Sequence, residues 1–199
     1  MRPLEETELI RLAAQGDQDA FAQLLELHQN KVYGLTLRLT GSPEDAMELT
    51  QETFFNAWRG LPNFHFESKF STWLYRLATN ATIDFLRREK RRKSLTVTSL
   101  SAEDDPQRLL DIPDRRFTPQ DELERKEFQA AVRRGLGQLS DEHRQVLVLR
   151  ELNGLSYAEI AQVLGIEEGT VKSRISRARL ALRKVLLADG NFSAPPASI

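Results

Sequence analysis

The sequence predicts an all-α protein of two small helical domains joined by an extended acidic linker. Apolar residues recur at helical spacing through most of the chain, and the strict alternation expected of strands is absent. Residues 94–118 interrupt this pattern with prolines, an acidic run and a Ser/Thr-rich stretch. We therefore predict domains at residues 1–93 and 119–187, a flexible linker at 94–118 and a disordered tail at 188–199.

Helix-capping residues justify the elements of the first domain. Asp17 can cap one helix, Ser42 followed by Pro43 begins the next, and Ser71 or Thr72 can cap a third. These helices are predicted to end near residues 39, 59 and 92. The apolar side chains predicted to face the core are Phe21, Leu24, Leu25, Val32, Leu35, Leu39, Leu49, Trp73, Leu74, Leu77, Ala78, Ala81 and Phe85.

The second domain begins with two further helices. Thr118-Pro119 starts a helix that is predicted to end near residue 136, and Ser140 caps the following one. That second helix is predicted to bury Val146, Leu147, Leu149 and Leu152.

A helix-turn-helix motif follows the turn dipeptide Asn153-Gly154. Ser156 and Glu159 have the spacing of a capping box, and Gly165 permits the tight turn between the two helices. The second helix is predicted to begin near residues 168–170 and to end near residue 187. This spacing of small and apolar residues is typical of a DNA-binding helix-turn-helix.

The second helix of the motif is predicted to contact DNA. Between residues 172 and 184 it has six cations and no acid. Its outer face, near the end that enters the major groove, consists of Lys172, Ser173, Ser176 and Arg177, which can contact base edges. Arg174, Arg179 and Arg183 are better placed for phosphates.

The first domain has three candidate surfaces of its own. Asp45, Glu48 and Glu52 are spaced as one acidic helix face. Aromatic residues cluster in the next loop and at the start of the following helix, where rings can stack on bases, and that helix ends in the basic segment 87–93. The aromatic residues are Phe64, His65, Phe66, Phe70 and Trp73.

Each of these features also has a purely structural explanation. A basic or acidic helix face is often simply solvated. A single aromatic ring is more often part of a core than of a binding site, and Phe70 and Trp73 are the rings that we most expect in the core. Asn80, which could hydrogen-bond a base edge, could equally face solvent.

Cysteine is absent, which excludes disulfides and Cys-ligated metal sites and fits a reducing compartment. The charged N-terminus is unlike a signal peptide, and no apolar stretch approaches the ~20 residues of a membrane span. We expect a cytoplasmic protein without membrane insertion, metal or cofactor.

The formal net charge is −1, but residues 1–93, 94–122 and 123–199 have net charges of 0, −4 and +3. The average therefore does not exclude nucleic-acid binding.

Three strings resemble the extracytoplasmic function (ECF) sigma factors, the small two-domain group of the sigma-70 family of bacterial RNA polymerase sigma factors. They are DAMELTQETF at 45–54, FSTWLYRLATN at 70–80, and LSYAEIA at 155–161 with GTVKSRISRAR at 169–179. The resemblance implies a sigma region 2 helical bundle and a sigma region 4 helix-turn-helix. It also implies a factor that binds the polymerase core, recognises the −35 and −10 promoter elements and aids promoter melting.

The resemblance also implies roles for individual residues. The core-binding residues would be Asp45, Glu48, Gln51 and Glu52. Those at the −10 element would be Phe64, His65, Phe66, Ser68, Trp73, Asn80, Arg87, Arg88, Arg91 and Arg92. Those at the −35 element would be Lys172, Ser173, Arg174, Ser176, Arg177 and Arg179. Many members have a basic residue and a glycine where this chain has His65 and Phe66.

The implied partners are the clamp helices of the largest polymerase subunit, the flap of the second largest, and promoter DNA. The DNA would be duplex at −35 and single-stranded at −10. An anti-sigma factor, which could hold the protein at the membrane, is a further implied partner.

Two other functions are alternatives to a sigma factor: an ordinary DNA-binding regulator with a sensor or dimerisation module, and an enzyme such as a nuclease. Scattered histidines and the lack of a phosphate-binding glycine loop argue against the enzyme.

Overall fold

The computed structural model describes residues 5–95 and 119–188, and every regular element within them is helical. The first unit contains α1 (Glu6–Ala14), α2 (Gln18–Thr40), α3 (Pro43–Gly60), a 3₁₀ turn (Leu61–Asn63) and α4 (Phe70–Leu95). The second contains α5 (Pro119–Gly137), α6 (Asp141–Leu147), a π-helical turn (Val148–Leu152), α7 (Tyr157–Leu164) and α8 (Glu168–Ala188). The all-α prediction is confirmed. Residues 96–118 and 189–199, and with them most of the predicted linker and tail, lie outside the described residues.

The predicted caps of α2 and α3 are present. Asp17 accepts a hydrogen bond from the Ala20 backbone N–H at 2.9 Å, and α2 ends at Gly41 in the left-handed conformation with φ of 80°. Ser42 accepts from the Asp45 backbone N–H at 3.2 Å, and Pro43 lies in the first turn of α3. These local contacts fix where each helix begins and ends.

The start of α4 differs from the prediction. The helix begins at Phe70, so neither Ser71 nor Thr72 is its N-cap. The Phe70 ring is buried and stacks edge-on against His28 of α2, with ring centroids 5.3 Å apart. This tertiary packing accompanies a helix start two or three residues earlier than a cap at Ser71 or Thr72 would give.

The core of the first unit forms between α2, α3 and α4. Leu24, Leu35, Leu49 and Leu74 are almost fully inaccessible to solvent. Phe21, Leu25, Leu77, Ala81 and Phe85, also predicted to face the core, are half-buried. α1 lies against this bundle, and Glu6 holds it there through a 3.0 Å contact with Nε2 of the buried His28.

The second unit has the predicted helix-turn-helix. Ser156 and Glu159 form the capping box, and Gly165 adopts the left-handed conformation with φ of 64°. Val171, Ile175 and Ala178 of α8 are buried. Leu152 is exposed rather than buried, because the π-helical turn Val148–Leu152 rotates it away from the core.

The two units pack against each other, which the sequence did not predict. One cluster of buried apolar side chains includes members of both units, and α7 lies on the N-terminal part of α4. Arg144 of α6 donates from Nη1 to the Leu39 carbonyl oxygen at 2.7 Å, and so satisfies a carbonyl at the C-terminal end of α2. The same guanidinium donates to Leu136 O within the second unit at 3.0 Å.

Candidate nucleic-acid interface

The outer face of α8 is open to solvent where the sequence placed its contact residues. Lys172, Ser176 and Arg177 are exposed. Ser173 is half-buried, and its hydroxyl donates to the Thr170 carbonyl oxygen at 3.0 Å. The buried residues of α8 lie on its opposite face, so the exposed cations and hydroxyls can face a DNA groove without disturbing the core.

Two other arginines of α8 form ion pairs with preceding helices. Arg174 Nη2 lies 3.4 Å from Glu142 Oε2, and Arg179 Nη2 lies 2.6 Å from Glu151 Oε1. The hydrogen bond to Glu151 is the main reason that the pKa of Arg179 is raised above its ordinary value. These carboxylates compete with a phosphate for the two guanidinium groups.

The aromatic residues of the first unit form one connected cluster. The Phe64 ring centroid lies 5.0 Å from Phe66, 5.8 Å from Phe70 and 5.1 Å from Trp73. Phe70 and Trp73 are buried, as we expected for core residues, and they form the base of the cluster. His65 and Phe66 are exposed at its rim.

Phe66 has an unusual backbone conformation. Its φ is 57°, and within residues 5–95 and 119–188 no other non-glycine residue has a positive φ. A side chain in this left-handed conformation costs about 1–2 kcal/mol. The ring packs on Phe64 but is 47% exposed, so it is only partly buried. A strained and exposed aromatic residue of this kind is a candidate for contact with a ligand.

A cleft of about 270 Å³ lies beside this cluster, between the two units. Phe64, His65, Ser68 and Trp73, all predicted −10 residues, line it from the first unit. The first unit also contributes Asn63, Glu67, Thr72 and Arg76 to its lining. From the second unit, Gln162 and Val163 of α7 line the cleft.

Of the other predicted −10 residues, Phe66 lies in the loop but does not line this cleft, and the rest lie further along α4. Asn80 and the four predicted arginines (Arg87, Arg88, Arg91 and Arg92) are exposed. Arg87 pairs with Asp84 at 3.7 Å and Arg92 with Glu89 at 3.0 Å. Three of the arginines line a second, open cleft that also includes Glu52 of α3. The basic end of α4 therefore lies next to the acidic face.

The acidic face on α3 is exposed at Glu48, Gln51 and Glu52, whereas Asp45 is half-buried. Two apolar residues that sequence reasoning did not assign to a site are also exposed on α3: Met47 is 53% exposed and Phe55 60%. The Phe54-Phe55 pair was the available signal, because a single helix face can bury only one of two adjacent rings.

Glu159 is a third residue, after Met47 and Phe55, whose contacts the sequence did not fully predict. Its Oε2 accepts hydrogen bonds from the Ser156 backbone N–H and hydroxyl, each at 2.8 Å. Its Oε1 lies 3.2 Å from Lys69 Nζ and accepts from Thr72 Oγ1 at 3.3 Å, both in the first unit. The Ser156 backbone hydrogen bond is the main cause that lowers the pKa of Glu159 from 4.5 to about 2. The Ser156 hydroxyl and Lys69 lower it further, and burial opposes them.

Two protein families match the two units in order. Sigma-70 region 2 matches residues 24–92, and Sigma-70, region 4 matches residues 129–182. The ECF RNA polymerase sigma factor SigW of Bacillus subtilis is 37% identical over 177 residues, covering 89% of this chain and 94% of that protein. The RNA polymerase sigma-H factor of Pseudomonas aeruginosa is 38% identical over 185 residues, covering 92% and 94%.

The chain belongs to the ECF sigma factors. Members of this family direct transcription by RNA polymerase and are not enzymes. A solved structure of CnrH with the cytosolic domain of CnrY superposes on this ECF sigma factor with a TM-score of 0.64 and 29% identity, covering 92% of this chain and 98% of that one. The sigma factor RpoE of Bartonella quintana, solved in complex with the anti-sigma factor NepR, superposes with a TM-score of 0.63 and 25% identity. That match covers 85% of this chain and 98% of RpoE.

The candidate residues of this ECF sigma factor lie within the two matched regions. The acidic face, the aromatic cluster and the basic end of α4 lie within the region 2 match, and α7 with most of α8 lies within the region 4 match. Within residues 5–95 and 119–188, no helix is long and apolar enough to cross a membrane, and no group of three His, Asp or Glu could hold a metal ion.

Proposed function

We propose that this sigma factor binds the RNA polymerase core and directs it to promoters by recognising duplex DNA at −35 and single-stranded DNA at −10. The observation that carries the proposal is the presence of two chemically different surfaces on one chain. One is a helix with exposed cations and hydroxyls, and the other is an aromatic cluster with a strained, exposed Phe66. Residues 1–93 and 119–187 would act as separate DNA-binding domains, joined by the linker 94–118.

At the −35 element, the N-terminal half of α8 enters the major groove. Lys172 and Arg177 donate to guanine O6 and N7, and the serines Ser173 and Ser176 contact either base partner. Arg174 and Arg179 lie beside the groove, where phosphates can exchange with their carboxylate partners Glu142 and Glu151. The net charge of +3 over residues 123–199 favours this duplex contact.

At the −10 element, the aromatic cluster holds unpaired bases and so aids promoter melting. Phe66 offers its ring to a base, Phe64 and Trp73 support it from below, and His65 and Ser68 can hydrogen-bond base edges. Asn80 and the arginines of α4 contact the backbone at the edge of the duplex. Stacking each unpaired base on a ring offsets part of the cost of separating the strands.

The acidic face of α3 binds the clamp helices of the largest polymerase subunit, and region 4 binds the flap of the second largest. Glu48 and Glu52 supply exposed negative charge, and Met47 and Phe55 supply apolar area beside it. An acidic patch bordered by apolar side chains is suited to a protein partner rather than to DNA. This division explains why a factor that binds DNA has acidic residues on α3.

We further propose that an anti-sigma factor binds this chain. The support is that a solved relative, RpoE, is described in complex with the anti-sigma factor NepR and superposes over most of the chain. An anti-sigma factor anchored in the membrane would hold this otherwise cytoplasmic protein at the membrane surface.

Run-off transcription with core polymerase on a library of genomic promoter fragments tests the function. We expect transcripts only when core and this protein are both present, with start sites that share two upstream elements. An ordinary DNA-binding regulator would instead bind DNA without core and would give no start-site selection. That result would overturn the proposal.

A further inference from the structure

An exposed leucine lies in the middle of the outer face of α8. Leu180 is 54% exposed, although it belongs to the helix that we propose to bind duplex DNA. The buried residues Val171, Ile175 and Ala178 define the inner side of this helix. At about 100° of rotation per residue, Leu180 points roughly 170° away from the mean direction of these three side chains. The leucine is therefore at the centre of the outer face and not at its edge.

Leu180 continues the row of residues that we propose to contact base edges. Four residues follow one another at the spacing i, i+3, i+4 and i+7, which places them along one stripe of the helix. They are Ser173, Ser176, Arg177 and Leu180. The stripe is about 10 Å long at 1.5 Å per residue, so it spans roughly three base pairs. Homeodomains have base-contacting residues at this same spacing on the helix that lies in the major groove.

The surroundings of Leu180 favour DNA over an apolar protein partner. Arg177 and Lys184 lie about one turn before and one turn after it on the same face, and both are exposed. Two other exposed leucines of this unit, Leu152 and Leu187, line an apolar groove beside α5, whereas Leu180 does not line that groove. A leucine set between cations, apart from the apolar groove, is matched to a negatively charged partner.

The chemistry of the major groove limits what a leucine can recognise there. The C5-methyl group of thymine is apolar, whereas the other distinguishing groups on the base edges are hydrogen-bond donors and acceptors. A leucine placed against cytosine N4 or guanine O6 would remove water from a polar group without replacing its hydrogen bond. The short side chains of Ser173 and Ser176 leave room for the helix to approach the bases closely. Leucine at this position therefore favours thymine.

We propose that Leu180 is a specificity-determining residue, whose side chain packs on the C5-methyl group of a thymine in the −35 element. The inference rests on the proposed function, because it requires α8 to lie in the major groove at that element. The cations of α8 bind phosphates and guanine, and Leu180 adds a preference for thymine at one base pair. Removing the leucine relaxes the preference at that base pair and leaves the others unchanged.

Deoxyuridine tests this contact directly, because it differs from thymidine only in lacking the C5-methyl group. Holoenzyme containing the full-length protein is bound to a promoter obtained by the run-off experiment. Each thymine of its −35 element, on either strand, is replaced by deoxyuridine in turn. We expect one replacement to weaken binding of wild-type holoenzyme about fourfold, since burying one methyl group contributes about that factor. The same replacement should not weaken binding of Leu180→Ala holoenzyme.

Leu27→Ala on α2 is the matched control. Leu27 is 55% exposed and lies in the other unit, so this variant loses an equally exposed leucine away from α8. It should keep the wild-type response to deoxyuridine. Alanine is a strong helix former, so we expect both variants to fold, and circular dichroism checks this.

Selection from promoters with a randomised −35 element provides the second readout. Wild type and Leu27→Ala should enrich thymine at one position where Leu180→Ala shows no preference, and all three should agree elsewhere. If no deoxyuridine replacement distinguishes wild type from Leu180→Ala, or if the selected elements contain no thymine on either strand, the role of Leu180 is overturned while −35 recognition stands. If wild type enriches no −35 sequence, the proposed function fails, and the role of Leu180 fails with it.

Discussion

The helix-turn-helix and the aromatic cluster are both candidate DNA-binding surfaces, but they are built in different ways. The helix-turn-helix depends on contacts close in sequence: Ser156 with Glu159, and Gly165 in the left-handed conformation. The aromatic cluster depends on rings from a loop and from α4, packed against α2 through His28. The comparison shows that local capping contacts fix the turn and the first helix of the helix-turn-helix, whereas the aromatic cluster requires the loop, α4 and α2 to pack together.

The two surfaces also differ in chemistry. The exposed face of α8 has cations and hydroxyls, which suit a rigid duplex and give binding that weakens steeply with salt. The cluster around Phe64 presents ring faces, which suit unstacked bases. The acidic face on α3 is separate from the aromatic cluster and from α8, and its negative charge disfavours contact with DNA phosphates. Substitutions should therefore separate core binding, −35 binding and −10 binding.

Reversing the charge of the acidic face should have the largest effect. Glu48→Lys with Glu52→Lys places cations where we propose contact with the polymerase clamp, and like charges at an interface cost several kcal/mol. We expect core affinity to fall on the order of a hundredfold, measured by fluorescence anisotropy of the labelled factor. Glu5→Lys with Glu8→Lys on α1, which makes the same change of charge at exposed residues, is the control. Equal losses in both variants would remove the docking role from α3.

Truncating the base-contacting cations should break −35 recognition alone. Lys172→Ala and Arg177→Ala should each weaken binding of holoenzyme to its −35 duplex by about 1–3 kcal/mol. Binding of single-stranded DNA by the free factor should not change, because α8 does not line the cleft beside the aromatic cluster. If random duplex loses as much affinity as the −35 duplex, these residues contact phosphates rather than bases.

Phe66→Gly should impair −10 binding with little change in stability. Glycine accepts the positive φ of this position without strain, and this gain offsets the loss of the ring contact with Phe64. Losing one stacked base should weaken single-strand binding by about 1–3 kcal/mol. Urea unfolding measures the stability, and permanganate reactivity of unpaired thymines in the promoter complex measures melting. Wild-type melting by Phe66→Gly would show that this ring does not hold a base.

The smallest expected effect concerns pH and Glu159. Since folding lowers its pKa from 4.5 to about 2, the ionised carboxylate stabilises the folded state above pH 4.5, and this stabilisation is lost as the pH falls toward 2. The difference in the free energy of unfolding between wild type and Glu159→Gln should therefore shrink as the pH is lowered through that range. A difference that stays constant with pH would mean that the carboxylate charge does not contribute.

Sequence reasoning predicted the helices well wherever a cap was local. The caps at Asp17, Ser42, Ser140 and Ser156 are all present, because each side chain bonds to a backbone group three residues away. The predicted cap of α4 was wrong because packing of Phe70 sets that start, and Leu152 was misplaced because a π-helical turn changed the helical register.

The contact between the units could not be predicted from the sequence. Glu159 is 87 residues from Thr72 in the chain, and the capping box already explained its presence. The positive φ of Phe66 was not predicted either, because local sequence does not set the backbone of an irregular loop. The roles of the individual candidate residues in binding remain predictions, and the substitutions above test them.

Footprinting of one promoter complex tests most directly the claim that two separate surfaces of this chain bind two forms of DNA. Holoenzyme containing wild-type factor should protect the −35 duplex and make −10 thymines reactive to permanganate. Lys172→Ala with Arg177→Ala should lose the −35 protection, whereas Phe66→Gly should keep it and lose most of the −10 reactivity. If both variants lose the two signals in equal proportion, the surfaces do not act separately and the account is wrong.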